Sequence, residues 1–167
     1  VLNLSIQRTQ ALVSTADANR IAELYVAFFN RIPEADGLEY WIKERAKGMS
    51  IEAISNSFYA VGASSDYAAL TGFRADMGDQ DFINLFYRNV LGRSEGADPG
   101  GLAYWQDKLS KGEVTRGKLA EQIIAAAYEY RAAPTLSEVV QLLENKVNVA
   151  RKVAMEWGLN YNADGAT

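Results

Sequence analysis

The sequence has no cysteine and no histidine, and these two gaps exclude more chemistry than its motifs supply. Without thiols or imidazoles there is no disulfide, no cysteine nucleophile, no imidazole general base and none of the usual zinc, copper or iron ligands. Most familiar hydrolase and oxidoreductase designs are excluded with them, and no nucleophile, base and oxyanion set can be assembled from the residues that remain. The chain is accordingly expected to be neither an enzyme nor the holder of a tightly bound cofactor. Absent cysteine rejects a disulfide scaffold but does not fix a compartment.

A basic field is missing as well. Lysine and arginine total 17 against 21 acids, for a formal net charge of −4, so nothing gathers phosphate backbones and nucleic acid is rejected as a partner. No apolar run approaches the roughly 20 residues that a membrane-spanning helix needs. Proline occurs three times in 167 residues, leaving long stretches free to stay helical. The first residue is Val1, and "VLNLSIQRTQ" carries no basic leader followed by an apolar stretch, so the chain is expected to be a segment of something longer.

The sequence does hold a core and a repeat. Hydrophobic residues make up 49% of the chain, enough to bury a core at this length. Of three tryptophans, two stand in nearly the same five residues, "GLEYW" at 37–41 and "GLAYW" at 101–105. The match extends to "IAELYVAFFNRIPEADGLEYW" and "INLFYRNVLGRSEGADPGGLAYW". Tyr25 aligns with Tyr87 and Arg31 with Arg93; after a longer loop in the second copy, Gly37, Leu38, Tyr40, Trp41 and Gly48 align with Gly101, Leu102, Tyr104, Trp105 and Gly112. Ser50, Ile54 and Phe58 then pair with Thr115, Leu119 and Ile123, and both copies close on an acid and a tyrosine, Asp66-Tyr67 and Glu129-Tyr130. Self-similarity on this scale marks a repeated supersecondary unit.

Each copy reads as three helices. Ile21, Leu24, Tyr25 and Phe28 recur at helical spacing, as do Ile83, Phe86 and Val90. Asp17 and Asp79 stand where N-caps are expected. The second helix starts after Glu34 or Asp98, with Pro99 in the first turn of the second copy, and turns Leu38, Trp41 and Ile42 or Leu102, Trp105 and Leu109 inward. Gly48 and Gly112 end it, each after a lysine. The third helix opens at Ser50 or Thr115 and buries Ile51, Ile54 and Phe58 or Leu119, Ile123 and Ala127. From Pro134 the pattern becomes one long helix whose apolar seam runs through Leu136, Val140, Leu143, Val147, Ala150, Ala154 and Trp157, with Gly158 to stop it.

An all-α bundle of seven or eight helices is therefore expected, a three-helix pseudo-repeat plus a long C-terminal helix. The divisions are 1–16 as lead-in, 17–72 and 73–133 as the two repeats, 134–158 as the closing helix and 159–167 as a linker-like tail.

The stretch "LFYRNVLGRSEGADPGGLAYWQDKLSKGE" resembles the DUF4214 domain family, whose pattern is an aromatic helix ending in Leu-Gly-Arg, an acidic loop, then Gly-Leu-x-Tyr-Trp and a glycine. The resemblance spans both copies, from about Asp17 to Tyr130, and "ENKVNVARKV" is similar to the segment that often trails such domains. The first copy departs from the pattern, with Asn30 for the glycine and Glu34 for the aspartate. Such domains resemble parts of exported bacterial proteins, surface-layer and RTX-type calcium-dependent proteins among them, so the resemblance implies an extracellular or cell-surface setting and assigns no catalytic residue. A fainter similarity to phycobilisome linker domains implies an assembly role without a pigment site.

The candidate ligand residues are Tyr40, Tyr104, Arg31 and Arg93. The tyrosines fall off the apolar stripe and offer flat faces suited to sugar rings, whereas Trp41 and Trp105 fall on it and read as core. Arg31 and Arg93, at the end of the first helix, read as staples to loop carbonyls and the acidic loop, with anion or sugar contact as the alternative. Glu34, Asp36, Glu95 and Asp98 are oxygen ligands that could suit calcium, but their spacing is not that of a high-affinity calcium loop, and helix capping is the favoured role for Glu34 and Asp98. The expected function is a non-catalytic module of a larger secreted or cell-surface bacterial protein that binds bacterial polysaccharide or an envelope glycan, or helps tether that protein to the envelope. The alternative is protein-protein assembly through the Leu136–Trp157 helix, whose seam reads first as closing the bundle.

Overall fold

The computed structural model describes residues 9, 11–129, 132 and 134–157. Among the described residues eight α-helices make up the fold: α1 Thr15–Phe29, α2 Ala35–Ala46, α3 Ile51–Gly62, α4 Ala68–Thr71, α5 Asp79–Leu91, α6 Pro99–Ser110, α7 Arg116–Glu129 and α8 Pro134–Ala150, which continues into a π-helical segment, Arg151–Glu156. No strand occurs among the described residues. The all-α architecture matches the expectation. Tyr130, Gly158, the 159–167 tail, most of the lead-in and the Leu136 side chain lie outside the described residues.

The helix ends follow local chemistry. Ser50 caps α3 by accepting from the Ala53 amide at 3.0 Å, and Thr115 does the same for the Lys118 amide at 3.0 Å before α7. The chain leaves α2 and α6 at Gly48 and Gly112, with φ of 107° and 67°, the left-handed region in which a Cβ is costly. The glycine of Leu-Gly-Arg has the same task at the end of α5, where Gly92 has φ 60°. Asn30 replaces it after α1 at φ 50°, asparagine being one of the few side-chain-bearing residues that visit this region readily.

Two caps differ from expectation. Ser14, not Asp17, caps α1 by accepting from the Asp17 amide at 3.0 Å, and Gly78, not Asp79, precedes α5. Both acids lie in the first turn and are taken by distant arginines: Arg45 reaches Asp17 at 3.1 Å, and Arg116 reaches Asp79 at 2.8 Å. A carboxylate one turn inside a helix start still suits the dipole, so each acid serves both the helix end and a tertiary contact.

One hydrophobic cluster runs through both three-helix units. At its centre is α1, buried on every side from Ile21 to Phe29 except at Glu23, as befits a helix that is apolar all round. Phe28 meets Phe58 of the first unit, Phe73 of the connection and Phe86 of the second at 6.4, 5.6 and 5.6 Å between ring centroids. The most extensive helix pair is α3 with α7, and its backbones approach closely at Gly117. Ser55 Oγ donates to the Gly117 carbonyl at 2.9 Å, and the Gly117 amide donates to Asn56 Oδ1 at 3.0 Å.

The C-terminal helix closes the bundle. Val140, Leu143, Val147, Ala150 and Ala154 are all buried, and α8 packs on α1, α5 and α7. Its apolar seam is therefore not free to recruit a partner. Trp157 departs from the expected seam, being 48% exposed. The switch to π-helical geometry after Ala150 widens each turn and rotates Trp157 away from the stripe.

Candidate functional site

Tyr40 and Tyr104 occupy the outer faces of α2 and α6, 55% and 54% exposed. Each ring stands nearly perpendicular to that of the tryptophan beside it, with centroids 5.0 Å apart for Tyr40–Trp41 and 4.8 Å for Tyr104–Trp105, an edge-to-face arrangement that holds the tyrosine in place. The Lys108 ammonium lies 5.3 Å over the Tyr104 ring. Trp105 is core, as expected, and donates its indole N–H to the Tyr87 hydroxyl at 3.0 Å. Trp41 is only half-buried, packed edge-on to Phe58 at 4.9 Å.

The arginines and loop acids come together, and of the two acids expected to cap a helix Asp98 does so and Glu34 does not. Glu34 stands at the N-cap of α2 and makes no side-chain cap. Its carboxylate turns back instead, accepting from the Tyr25 hydroxyl at 2.9 Å and from Arg31 at 3.3 Å. Arg31 also donates to the Tyr25 oxygen at 3.2 Å, so it bonds a carboxylate and a phenol and not loop carbonyls. Burial above all, and then the Glu34 charge, push the Tyr25 phenol well above its ordinary range, which keeps its proton in place to donate.

In the second unit the acid is one methylene shorter, and Asp98 caps α6 by accepting from the Gly101 amide at 3.1 Å. It also faces Arg93 at 3.5 Å. Tyr87 accepts from Trp105, while its own proton has no acceptor among the described residues. Burial raises the Tyr87 pKa too. Below this corner lies an open groove of about 160 Å³. Its floor is Leu91, Ile123, Ala126 and Ala127, and Tyr87, Arg93, Asp98 and Trp105 complete its walls.

Glu95 sits in the same loop beside the Ser94 hydroxyl, at 3.5 Å, and Asp36 lies in the first turn of α2, where it suits the dipole. Among the described residues no three carboxylates converge in a way that would hold a metal ion. Glu34, Asp36, Glu95 and Asp98 are thus distributed over separate local roles.

A second cleft is not foreshadowed by any motif. Asn19 and Glu23 of α1, Tyr128 of α7, and Glu144, Asn148 and Arg151 at the C-terminal end line a polar cleft of about 280 Å³. Burial raises the Glu23 pKa above the ordinary carboxylate range, opposed by its hydrogen bond with Tyr128, and burial raises that of Glu121 nearby in the same way. Asn19 Oδ1 and Glu121 Oε1 are buried without a hydrogen-bond partner among the described residues. The one signal for this cleft in the sequence is Glu23 itself, the single acid within "IAELYVAFF".

Residues 60–129 match the model of a family described as "Domain of unknown function (DUF4214)". The match takes in the end of α3 and the whole of α4 to α7, and supports the family resemblance for the second unit. No curated protein and no solved structure matches the chain.

Proposed function

We propose that the chain is a non-catalytic module of a larger secreted or cell-surface bacterial protein, and that it binds polysaccharide through Tyr40 and Tyr104. The observation that carries this reading is the repeated presentation of an exposed tyrosine braced by a tryptophan at sequence-matched places on two helices. Sugar rings stack on such faces, each contact is weak, and two sites on one chain gain strength through effective concentration. The acids of the two repeated loops nearest these tyrosines are committed locally, Glu34 to phenol and guanidinium partners and Asp98 to capping. The first unit is read as a degenerate second copy of the family domain, which accounts for the two matched tyrosines, and the surface setting rests on the family resemblance.

The test is binding to bacterial envelope polysaccharides by a glycan array and by co-sedimentation with cell-wall fractions. Tyr40→Ala with Tyr104→Ala is expected to weaken binding at least about fivefold, from two stacking contacts of roughly 0.5–1.5 kcal/mol each. Unchanged binding by a folded double variant would refute it.

One observation favours an assembly role as a second reading. Leu142 and Val149 stand two turns apart on α8, 53% and 50% exposed, so the edge they form beside the buried seam is the one that would meet another subunit. Defined oligomers by light scattering, lost on Leu142→Glu, would favour assembly over glycan binding.

A further inference from the structure

The two units handle the same corner of their fold differently, and the difference leaves the second one open. In the first unit the corner holds its own carboxylate. Glu34 is gripped at one oxygen by the Tyr25 hydroxyl and at the other by Arg31. The space beneath is filled by rings: Phe29 lies 4.9 Å from Tyr25 and 5.8 Å from Phe58, and Phe58 lies 5.6 Å from Tyr25.

In the second unit Leu91 and Ile123 stand at the positions matched to Phe29 and Phe58, and Ala126 and Ala127 come next on the same helix. Replacing two rings by aliphatic side chains leaves the groove of about 160 Å³. The acid at the corner is Asp98, too short to repeat the reach of Glu34 and already accepting from the Gly101 amide. Tyr87 is 9% exposed, and its hydroxyl proton is unclaimed among the described residues. Tyr87 lines the open groove, so an acceptor that enters it can take this proton in place of water.

We propose that the groove binds a small organic carboxylate with an apolar body, the carboxylate occupying the place that Glu34 holds in the first unit. One oxygen accepts from Tyr87 and the other from Arg93, while the body lies on Leu91, Ile123, Ala126 and Ala127 beside the indole of Trp105. Asp98 does not exclude the anion. Its side chain is 61% exposed and so screened by water, and a guanidinium has N–H donors enough for two carboxylates. The aliphatic floor selects the body: a sugar acid would set several hydroxyls against side chains that can neither donate nor accept, whereas a phenyl or branched alkyl group fits it.

The proposal does not depend on the glycan reading, because Tyr40 and Tyr104 take no part in it. The experiment is a titration of the whole protein, followed through the Trp105 indole N–H resonance, with phenylacetate, galacturonate and the uncharged benzyl alcohol as probes. Phenylacetate is expected to bind in the millimolar range or tighter and to shift that resonance, because the indole's acceptor Tyr87 changes its bonding. Tyr87→Phe or Arg93→Gln should weaken binding at least about tenfold. Ala126→Leu, which fills the groove from a half-buried position, should abolish binding while leaving thermal unfolding nearly unchanged.

Four results would overturn the proposal: no carboxylate binding at tens of millimolar, equal binding of benzyl alcohol, binding of galacturonate without phenylacetate, or undiminished binding by Ala126→Leu. Should Tyr87→Phe fail to fold, Arg93→Gln and Ala126→Leu still decide the matter.

Discussion

Replacing Gly117 by alanine probes the contact on which the two units meet. A Cβ built there would lie 2.5 Å from the backbone nitrogen of Asn56 and 2.6 Å from its Oδ1. Ordinary contact would require α7 to withdraw from α3 by nearly an ångström, and backbone cannot swing aside as the end of a side chain can. That withdrawal strains the two hydrogen bonds that join the helices, from Ser55 to the Gly117 carbonyl and from the Gly117 amide to Asn56. Overpacking costs about 1–3 kcal/mol and each weakened hydrogen bond about 1 kcal/mol, while the helix-propensity gain of alanine over glycine returns about 1 kcal/mol. The expected net loss is about 2–4 kcal/mol, or a fall in Tm of roughly 5–15 °C for a chain of this size. Thermal unfolding followed by helical circular dichroism measures it, with urea unfolding to check that the m-value is unchanged. Gly100→Ala is the control. It lies in the first turn of α6, where an added Cβ meets only the Asp98 carboxylate at 3.4 Å, so it should leave Tm unchanged or raise it slightly. A Gly117→Ala variant that melts at or above the wild-type temperature would refute the close-approach argument.

Arg116 has a side chain 19% exposed and ties α7 to three places at once: the Asp79 carboxylate, the Met77 carbonyl at 2.6 Å and the Tyr59 hydroxyl. It also stands 5.1 Å over the rings of both Tyr59 and Phe82. Arg116→Ala should therefore cost about 2–4 kcal/mol in urea unfolding, and Arg116→Lys should recover little of it, since an ammonium cannot fork to several acceptors. Glu23 gives a pH signature. Burial raises its pKa in the folded state, so the folded chain holds that proton more tightly than the unfolded one. The stability it contributes is complete below the ordinary carboxylate pKa and is lost as pH rises through the raised value. Glu23→Gln is accordingly expected to be more stable than wild type at pH 7, with the gap closing as pH falls toward about 4; a gap independent of pH would refute it.

Much of this fold is legible in short-range pattern. The recurrence of apolar residues at helical spacing places the helices and their buried stripes, so Tyr40 and Tyr104 can be read as exposed and Trp105 as core before any helix has a neighbour. Ser50, Thr115, Gly48, Gly92 and Gly112 mark helix ends because caps are chemistry within four residues of the backbone they serve. The surface that a stripe faces is not written in its own spacing. That α1 is enclosed on nearly all sides, and that the α8 seam turns inward and not toward a partner, result from how the helices stack. Charged side chains are the least legible, because they have reach and several possible partners. Asp17 and Asp79 look like caps in isolation and become ion-pair partners of Arg45 and Arg116 only when remote helices arrive. Glu34 looks like a cap and finds Tyr25. The groove under Tyr87 and the cleft at Glu23 are products of packing, since an opening is defined by the volumes on every side of it, contributed by residues far apart in the chain.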